Sequence, residues 1–152
     1  MIEVYCDGCC EPCNPGGYAS YGIVVKQDGK EIFSEGKLAA QGKGASNNVA
    51  EYSGLLAALL YLYKNKFLHN EITIYADSML VVKQMSGEWN MNKGLYIPIA
   101  LRCKKGLENF SNVTFKWIPR EENYLADEIS KSVLKKLNIT FKIQPEGNAN
   151  GK

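Results

Sequence analysis

Residues 1–8, MIEVYCDG, carry the pattern that decides the fold. Apolar side chains at the even positions alternate with more polar ones, which predicts a strand whose successive side chains point to opposite faces of a sheet. We expect this strand to end at Asp7 and to be broken by Gly8. A second alternating stretch, residues 72–77, ends at Asp77. Because ligands of α/β proteins bind beyond the carboxyl ends of parallel strands, the two aspartates are predicted to face one another across a site.

The rest of the chain predicts three further strands and four helices around this pair. The additional strands are expected over residues 18–26, 31–38 and 113–118, and the helices over 47–63, 78–86, 96–110 and 123–137. Residues 9–17 are predicted to form a loop, Asp28 and Gly29 a hairpin turn, and Asn47 or Asn48 the cap of the long helix. The order β-β-β-α-β-α-α-β-α predicts an α/β fold, a mixed five-stranded sheet with helices on both faces.

Composition places the chain among ordinary proteins of one domain. Its 152 residues are 45% apolar and 22% charged, with a net charge of +2, which allows a polyanionic partner without requiring one. No apolar run approaches the length of a membrane span, and the start of the chain does not resemble a signal peptide. We therefore expect a cytoplasmic monomer that does not bind membranes. Residues 1–143 are predicted to form the domain, in which 138–143 add a strand, and 144–152 a flexible tail.

Five cysteines are unusual for this composition, and four of them fall between positions 6 and 13. The pairs Cys6/Cys9 and Cys10/Cys13 have the two-residue spacing of zinc ligands. Structural zinc sites, however, usually take their pairs from separated segments, and Cys6 belongs to the inward face of the predicted strand. We therefore favour reduced thiols that are buried or lie in the loop. A disulfide within the loop remains an alternative.

Four acids carry the functional prediction: Asp7, Glu51, Asp77 and Asp127. Singly, each has a structural explanation, namely an Asp-Gly turn, a capping box begun by Asn48, a helix cap and an i,i+4 ion pair. Together they are expected to meet at the strand ends, where their like charges would repel. Divalent cations relieve such repulsion, so the cluster predicts two Mg²⁺ or Mn²⁺ ions that support phosphodiester cleavage.

The acids and their neighbours resemble the motifs of the type 1 ribonucleases H, over almost the whole chain to residue 143. The matching motifs are, in order, Asp7-Gly8 with Asn14-Pro15-Gly16, Ser46-Asn47-Asn48 with Glu51, Asp77-Ser78, and Asn123 with Asp127. The resemblance implies that the four acids are metal-binding catalytic residues. It also implies an endonuclease that hydrolyses the RNA strand of RNA/DNA hybrids and leaves 5′-phosphate ends.

The same resemblance implies a surface that contacts the hybrid. By it, Asn14, Asn47 and Asn48 would contact the minor groove, and Ser46 would help to hold a phosphate of the DNA strand. Short amides can reach base edges and 2′-hydroxyls, which distinguish RNA from DNA. Lys83, with other scattered lysines, is expected to contact the nucleic-acid backbone, although such lysines also commonly form a solvated face.

The chain departs from the family in one catalytic feature, because it lacks the histidine that many members carry between the fifth strand and the last acid. It resembles a prokaryotic subset without that residue. The lone His69 is expected at the opposite edge of the domain, as a solvated loop residue. Auxiliary roles are predicted for the residues of the corresponding segment, Arg120, Glu121, Glu122 and Asn123.

Three other functions are weighed against the leading one. A related nuclease could act on double-stranded RNA or on other duplexes, since the substrate-facing amides favour a hybrid without requiring it. A catalytically silent hybrid-binding module is disfavoured because all four acids are present. A thiol-metal protein built on the N-terminal cysteines is the weakest alternative.

Overall fold

The computed structural model describes residues 1–141, whose sheet has the strand order β3-β2-β1-β4-β5. The strands are β1 Ile2–Glu11, β2 Tyr18–Gln27, β3 Lys30–Gln41, β4 Ile72–Ala76 and β5 Val113–Trp117. The helices are α1 Asn47–Lys64, α2 Met79–Met85, α3 Ile97–Leu107 and α4 Tyr124–Lys136, with 3₁₀ turns at Gly42–Gly44 and Arg120–Asn123. The predicted order of elements and the mixed sheet are confirmed.

The end of the described chain differs from the sequence prediction. Residues 138–141 are not in a strand, so the strand predicted over 138–143 is absent from the part that the structure describes. Residues 142 and 143 and the predicted tail, 144–152, lie outside the described residues. Within residues 1–141, no helix is both long and apolar enough to cross a membrane.

Strand β1 continues through Gly8 to Glu11, so the predicted break at Gly8 and the predicted start of the loop at residue 9 are wrong. Residues beyond Asp7 stay in the sheet because they pair antiparallel with β2, from Gly8 opposite Tyr21 to Glu11 opposite Tyr18. The parallel partner β4 ends earlier, where Cys6 lies opposite Ala76. The pairing of β1 with β2 therefore extends further than its pairing with β4, and the loop is confined to residues 12–17.

Gly8 is required by the helix above it rather than by a turn. A Cβ atom at this position would lie 2.6 Å from the backbone nitrogen of Glu51 and 2.7 Å from the carbonyl carbon of Ala50. Contacts this short do not occur between unstrained atoms. The absence of a side chain at Gly8 thus lets the first turns of α1 rest directly on β1.

The apolar residues at helical spacing in α1, among them Tyr52, Leu55, Leu59, Leu60 and Tyr63, predict one buried stripe, which the structure matches only partly. Tyr52, Leu55 and Leu59 are buried as expected, but Leu60 and Tyr63 are 50% and 52% exposed. A helix turns about 100° per residue, so the inward line from Tyr52 continues through Leu59 to Leu62 and leaves Leu60 and Tyr63 to one side. In α3 the same spacing predicts that Leu101 is buried with Ile97, but Leu101 is exposed, and Ala100 and Cys103 are the buried residues.

Helix α4 packs on the opposite face of the sheet, along a different line from the one predicted. The helical spacing of Leu125, Ile129, Val133 and Leu137 predicts that these side chains face the sheet, whereas the fully buried residues are Ala126, Ser130 and Leu134. Gly22 of β2 explains the shift, because a Cβ there would collide with the carbonyl oxygen of Ala126 and lie 2.7 Å from the nitrogen of Ser130. The helix backbone lies so close to the sheet that only small side chains fit at the contact. Ser20 Oγ fixes it by donating to the Ser130 carbonyl at 2.7 Å.

Candidate active site

Two aspartates emerge side by side from the centre of the sheet. Strands β1 and β4 run parallel, and their last paired residues are Cys6 and Ala76, so Asp7 in β1 and Asp77 just after β4 come next along the chain. Asp7 is fully buried and Asp77 half-buried. The topology alone therefore brings two carboxylates to one edge of the domain.

Glu51 reaches the same place from α1. The N-cap of this helix is Ser46, whose Oγ accepts from Val49 N at 3.1 Å, so the prediction of Asn47 or Asn48 as the cap is wrong. Ser46 is the residue with extended backbone, which is what an N-cap requires. The capping-box explanation of Glu51 fails with it, because Glu51 lies beyond the third helical position. Its side chain is instead buried, only 3% exposed, against the end of β1.

Asp7, Glu51 and Asp77 each offer one carboxylate oxygen, and these oxygens all lie within 4.8 Å of one another. Like charges at this separation repel strongly in a partly buried setting. Carboxylate oxygens from three different elements, converging on one point, are the donors that hard divalent cations prefer. The residues present therefore fit a divalent metal ion.

Asp127 does not join the three converging oxygens. Its Oδ2 lies 2.9 Å from Lys131 Nζ, in the i,i+4 ion pair that the sequence offered as the structural explanation. Both side chains are largely shielded, at 15% and 17% exposed. Asp127 lies in the first turn of α4, one turn after the contact that ties this helix to β1.

That contact is made by Asn123, which is 1% exposed. Its Nδ2 donates to the carbonyl oxygen of Cys6 at 2.8 Å, immediately before Asp7. Among residues 1–141, its buried Oδ1 has no hydrogen-bond partner. The sequence pattern suggested an auxiliary role for Asn123, but it did not reveal that the side chain fixes the start of α4 to the strand that carries Asp7.

Four of the residues predicted to contact nucleic acid, Asn14, Ser46, Asn47 and Asn48, form a rim where the loop after β1 meets the start of α1, the helix that carries Glu51. Asn14 is exposed on the loop after β1, and its Oδ1 accepts from Asn47 N at 2.9 Å. Gly16 N also donates to the Ala45 carbonyl at 2.9 Å. These bonds hold the loop against the start of α1, where Ser46, Asn47 and Asn48 are half-buried. The hydrogen bond of Asn14 was not anticipated, although the Asn-Pro-Gly sequence indicated a shaped loop.

The remaining predicted residues lie on neighbouring elements. Lys83 of α2 forms an exposed ion pair with Glu88 at 3.0 Å. Arg120, Glu121 and Glu122 occupy the 3₁₀ turn before α4, where both glutamates are exposed and Arg120 is half-buried.

His69 lies in the connection before β4, at the opposite end of that strand from Asp77. It is exposed, and its Nδ1 is 2.7 Å from Ser111 Oγ.

The cysteines do not form a metal site in the part of the chain that the structure describes. All five are free thiols, and no cysteine belongs to the group of converging ligands. Cys6 packs in the core beside α1, where burial raises the pKa of its thiol. Cys9 faces Ser20 on the side of α4, with Sγ 3.3 Å from Ser20 Oγ. Cys6 and Cys9 therefore lie on opposite faces of the sheet and cannot ligate one ion.

A family model described as Reverse transcriptase-like matches residues 5–133 of this chain. The bifunctional protein Rv2228c of Mycobacterium tuberculosis is 35% identical over 122 residues, which cover 80% of this chain and 32% of that protein. Ribonuclease HI of Halobacterium salinarum is 31% identical over 133 residues, covering 88% of this chain and 64% of that protein. The chain spans about a third of the length of Rv2228c and almost two thirds of the halobacterial protein.

Several solved structures are similar to this chain over most of its length. The N-terminal RNase H domain of Rv2228c superposes with a TM-score of 0.79 at 29% identity, covering 90% of this chain and 95% of that chain. LC11-RNase H1 in complex with an RNA/DNA hybrid gives a TM-score of 0.79 at 27% identity, covering 91% and 99%. The RNase H1 of Halobacterium salinarum gives 0.76 at 29% identity, covering 89% and 98%.

Proposed function

The chain belongs to the type 1 ribonuclease H family, and from this premise we propose that it is an endonuclease that hydrolyses the RNA strand of RNA/DNA hybrids. The observation that carries the proposal is the convergence of Asp7, Glu51 and Asp77, whose carboxylate oxygens lie within 4.8 Å of one another. A helix cap, a turn and a surface acid would not need to meet. The three acids meet at the carboxyl ends of two parallel strands, which is where α/β folds bind their ligands.

The three converging acids would hold Mg²⁺ or Mn²⁺, and Asp127 would complete the ligands of a pair of ions. When bound, such ions activate the attacking water and stabilise the leaving oxygen of a phosphodiester. The ion pair of Asp127 with Lys131 orients this carboxylate in the first turn of α4. Lys131 would also partly offset the negative charge at this edge of the domain.

The protein's own contribution is to hold these acids in a fixed arrangement. Asp7 is positioned by its pairing with β2 and by the parallel pairing of Cys6 with β4 just before it, and Glu51 by the close approach of α1 at Gly8. Asn123 links the start of α4 to the carbonyl before Asp7. Preorganised acids of this kind need no rearrangement during the reaction, which is what electrostatic catalysis requires.

Choice of the RNA strand is assigned to the amides on the adjacent rim. Because the Oδ1 of Asn14 is engaged by Asn47 N, this side chain is oriented to donate through Nδ2. Asn47 and Asn48 follow on the first turn of α1, and all three amides can approach base edges and 2′-hydroxyls in a minor groove. Ser46 would sit next to a phosphate of the DNA strand, and Lys83 would contact the backbone further along. LC11-RNase H1, a structural neighbour of this chain, was solved in complex with an RNA/DNA hybrid, which supports this substrate class.

Proton handling is assigned to the segment that replaces the missing histidine. Glu121 and Glu122 are exposed in the turn before α4, close in sequence to Asn123, and Arg120 precedes them. An exposed carboxylate there can exchange protons with solvent near the site.

The test is a substrate panel. Labelled RNA/DNA hybrid, double-stranded RNA and double-stranded DNA of one sequence are incubated with the protein, with Mg²⁺, with Mn²⁺ or with a chelator. We expect cleavage of the RNA strand of the hybrid only with a divalent cation, giving 5′-phosphate ends. Cleavage of double-stranded RNA at an equal rate would favour the broader duplex nuclease. Tight hybrid binding without cleavage in any metal would indicate a silent binding module.

A further inference from the structure

Two cysteines next to the candidate active site have no part in the proposed function. Cys10 lies near the end of β1 and is 2% exposed, whereas Cys13 is exposed on the loop that follows. The thiol of Cys10 donates to the carbonyl oxygen of Cys13 at 3.0 Å. This oxygen is joined to Cys13 Cα through the C=O and Cα–C bonds, of about 1.23 and 1.52 Å, so that Cα lies no more than about 5.8 Å from the Cys10 sulfur. The two cysteines are therefore neighbours in space.

This pair differs from the other cysteines of the chain. Cys6 and Cys103 are enclosed in the main core, and Cys9 faces α4. Cys10 points to the other face of β1 and packs in a small cluster of alanines beside the loop. It is therefore the buried thiol beside Cys13, and because Cys13 lies outside the paired residues of β1, a shift of the loop can join the two sulfurs without breaking a strand pair.

Hydrogen bonds hold the loop next to this thiol. Gly17 N donates to the Cys13 carbonyl at 3.0 Å, so the carbonyl receives hydrogen bonds from both Cys10 and Gly17. Burial raises the pKa of the Cys10 thiol, and a backbone hydrogen bond from Gly17 acts in the opposite direction. The exposed Cys13 is thus the thiol that a small-molecule disulfide in solvent can reach, and Cys10 is the buried thiol beneath it.

We propose that Cys10 and Cys13 form a reversible disulfide when the protein meets a small-molecule disulfide. The thiolate of Cys13 attacks the reagent, which forms a mixed disulfide and releases one thiol. The sulfur of Cys10 then attacks the Cys13 sulfur, loses its proton to solvent and releases the second thiol. Two protein thiols are oxidised and one small-molecule disulfide is reduced to two thiols.

The link has a consequence for the rim that is assigned to the substrate. Pulling Cys13 towards Cys10 displaces the adjacent Asn14, whose Oδ1 accepts from Asn47 N. It also disturbs the cluster of Cys10 with Ala45 and Ala50, which precede Ser46 and Glu51 in the chain. The effect on cleavage rests on the proposed nuclease function, whereas formation of the disulfide does not.

The disulfide is tested on the whole protein by peptide mapping under non-reducing conditions after incubation with oxidised glutathione. The wild type should lose two thiol hydrogens and give a peptide linked through positions 10 and 13. Cys10→Ala should retain a glutathione adduct on Cys13, because the thiol that resolves it is missing, and Cys13→Ala should remain unmodified. Cys9→Ser is the matched control, equally buried in the same strand, and should still form the link.

A wild type that carries only a glutathione adduct, or a link to Cys6 or Cys9, would overturn the proposal. In the same samples, oxidation of the wild type should raise the Michaelis constant for hybrid about fivefold, the loss of roughly one hydrogen bond at the interface. Dithiothreitol should reverse it, and Cys13→Ala should not respond. An unchanged Michaelis constant in fully linked protein would refute the effect on substrate binding. If the reduced protein cuts no hybrid, the nuclease assignment fails while the disulfide map still decides the chemistry.

Discussion

Replacing Gly8 by alanine should separate the active-site acids without touching any of them. The added Cβ would lie 2.6 Å from Glu51 N, whereas ordinary contacts begin at 3.4 Å, so α1 must move away from β1 by about 0.8 Å at this point. The obstructing atoms are backbone, which cannot swing aside. Overpacking of this kind costs about 1–3 kcal/mol of folding stability. For a chain of this size, about 2 kcal/mol lowers the melting temperature by roughly 4–8 °C.

Gly8→Ala should lower turnover by more than its loss of folding stability explains. Glu51 moves with the helix while Asp7 stays in the strand, and a misplacement near 1 Å can reduce turnover about 100-fold. Turnover on labelled hybrid and thermal unfolding are measured for Gly8→Ala and for Gly44→Ala. Gly44 is the matched control, because a Cβ there meets nothing within 4 Å. Wild-type turnover in Gly8→Ala, or equal losses in both variants, would refute the role of this close approach.

Three smaller perturbations test other parts of the site. Ser46→Ala removes the N-cap of α1 and should cost about 1 kcal/mol, measured by denaturant unfolding, with Ser34→Ala on the edge strand as the control. Millimolar Mg²⁺ should raise the melting temperature by relieving repulsion among the acids, and a melting temperature indifferent to Mg²⁺ would argue against a metal site. His69→Ala should leave turnover almost unchanged, and turnover should rise with pH without a step near the usual histidine pKa of about 6.5. A large loss that added imidazole restores would place His69 in the reaction.

The order of the elements follows from the sequence because each strand and helix carries its own periodic pattern. The alternation before Asp7 and Asp77 predicts two strands, and the crossover through α1 makes them parallel neighbours. The hairpin at Asp28 and Gly29 forms with positive φ at both residues, as an Asp-Gly pair favours. These features depend on local residues and on general topological rules.

The parts that escaped prediction depend on contacts between distant segments. Gly8 suggested a break in the strand, but its role is set by α1, some forty residues later. The inward line of α4 is set by Gly22 on the sheet, which selects Ala126 over the larger leucine beside it. The pairing of Asp127 with Lys131 was foreseen only as an alternative to metal binding, since spacing alone cannot decide between the two.

The central claim is that the carboxylate cluster cuts RNA in a hybrid, and replacing Asp7 by asparagine tests it most directly. Single-turnover cleavage of labelled hybrid in Mg²⁺ is compared for wild type, Asp7→Asn and the control Asp28→Asn. Asp28 is an exposed acid paired with the N-terminal amine, and asparagine suits its positive φ. We predict a rate for Asp7→Asn at least about a thousandfold below wild type, because several kcal/mol of metal-assisted stabilisation are lost, with unchanged circular dichroism and a wild-type rate for Asp28→Asn. Near-normal cleavage by a folded Asp7→Asn protein would contradict the account.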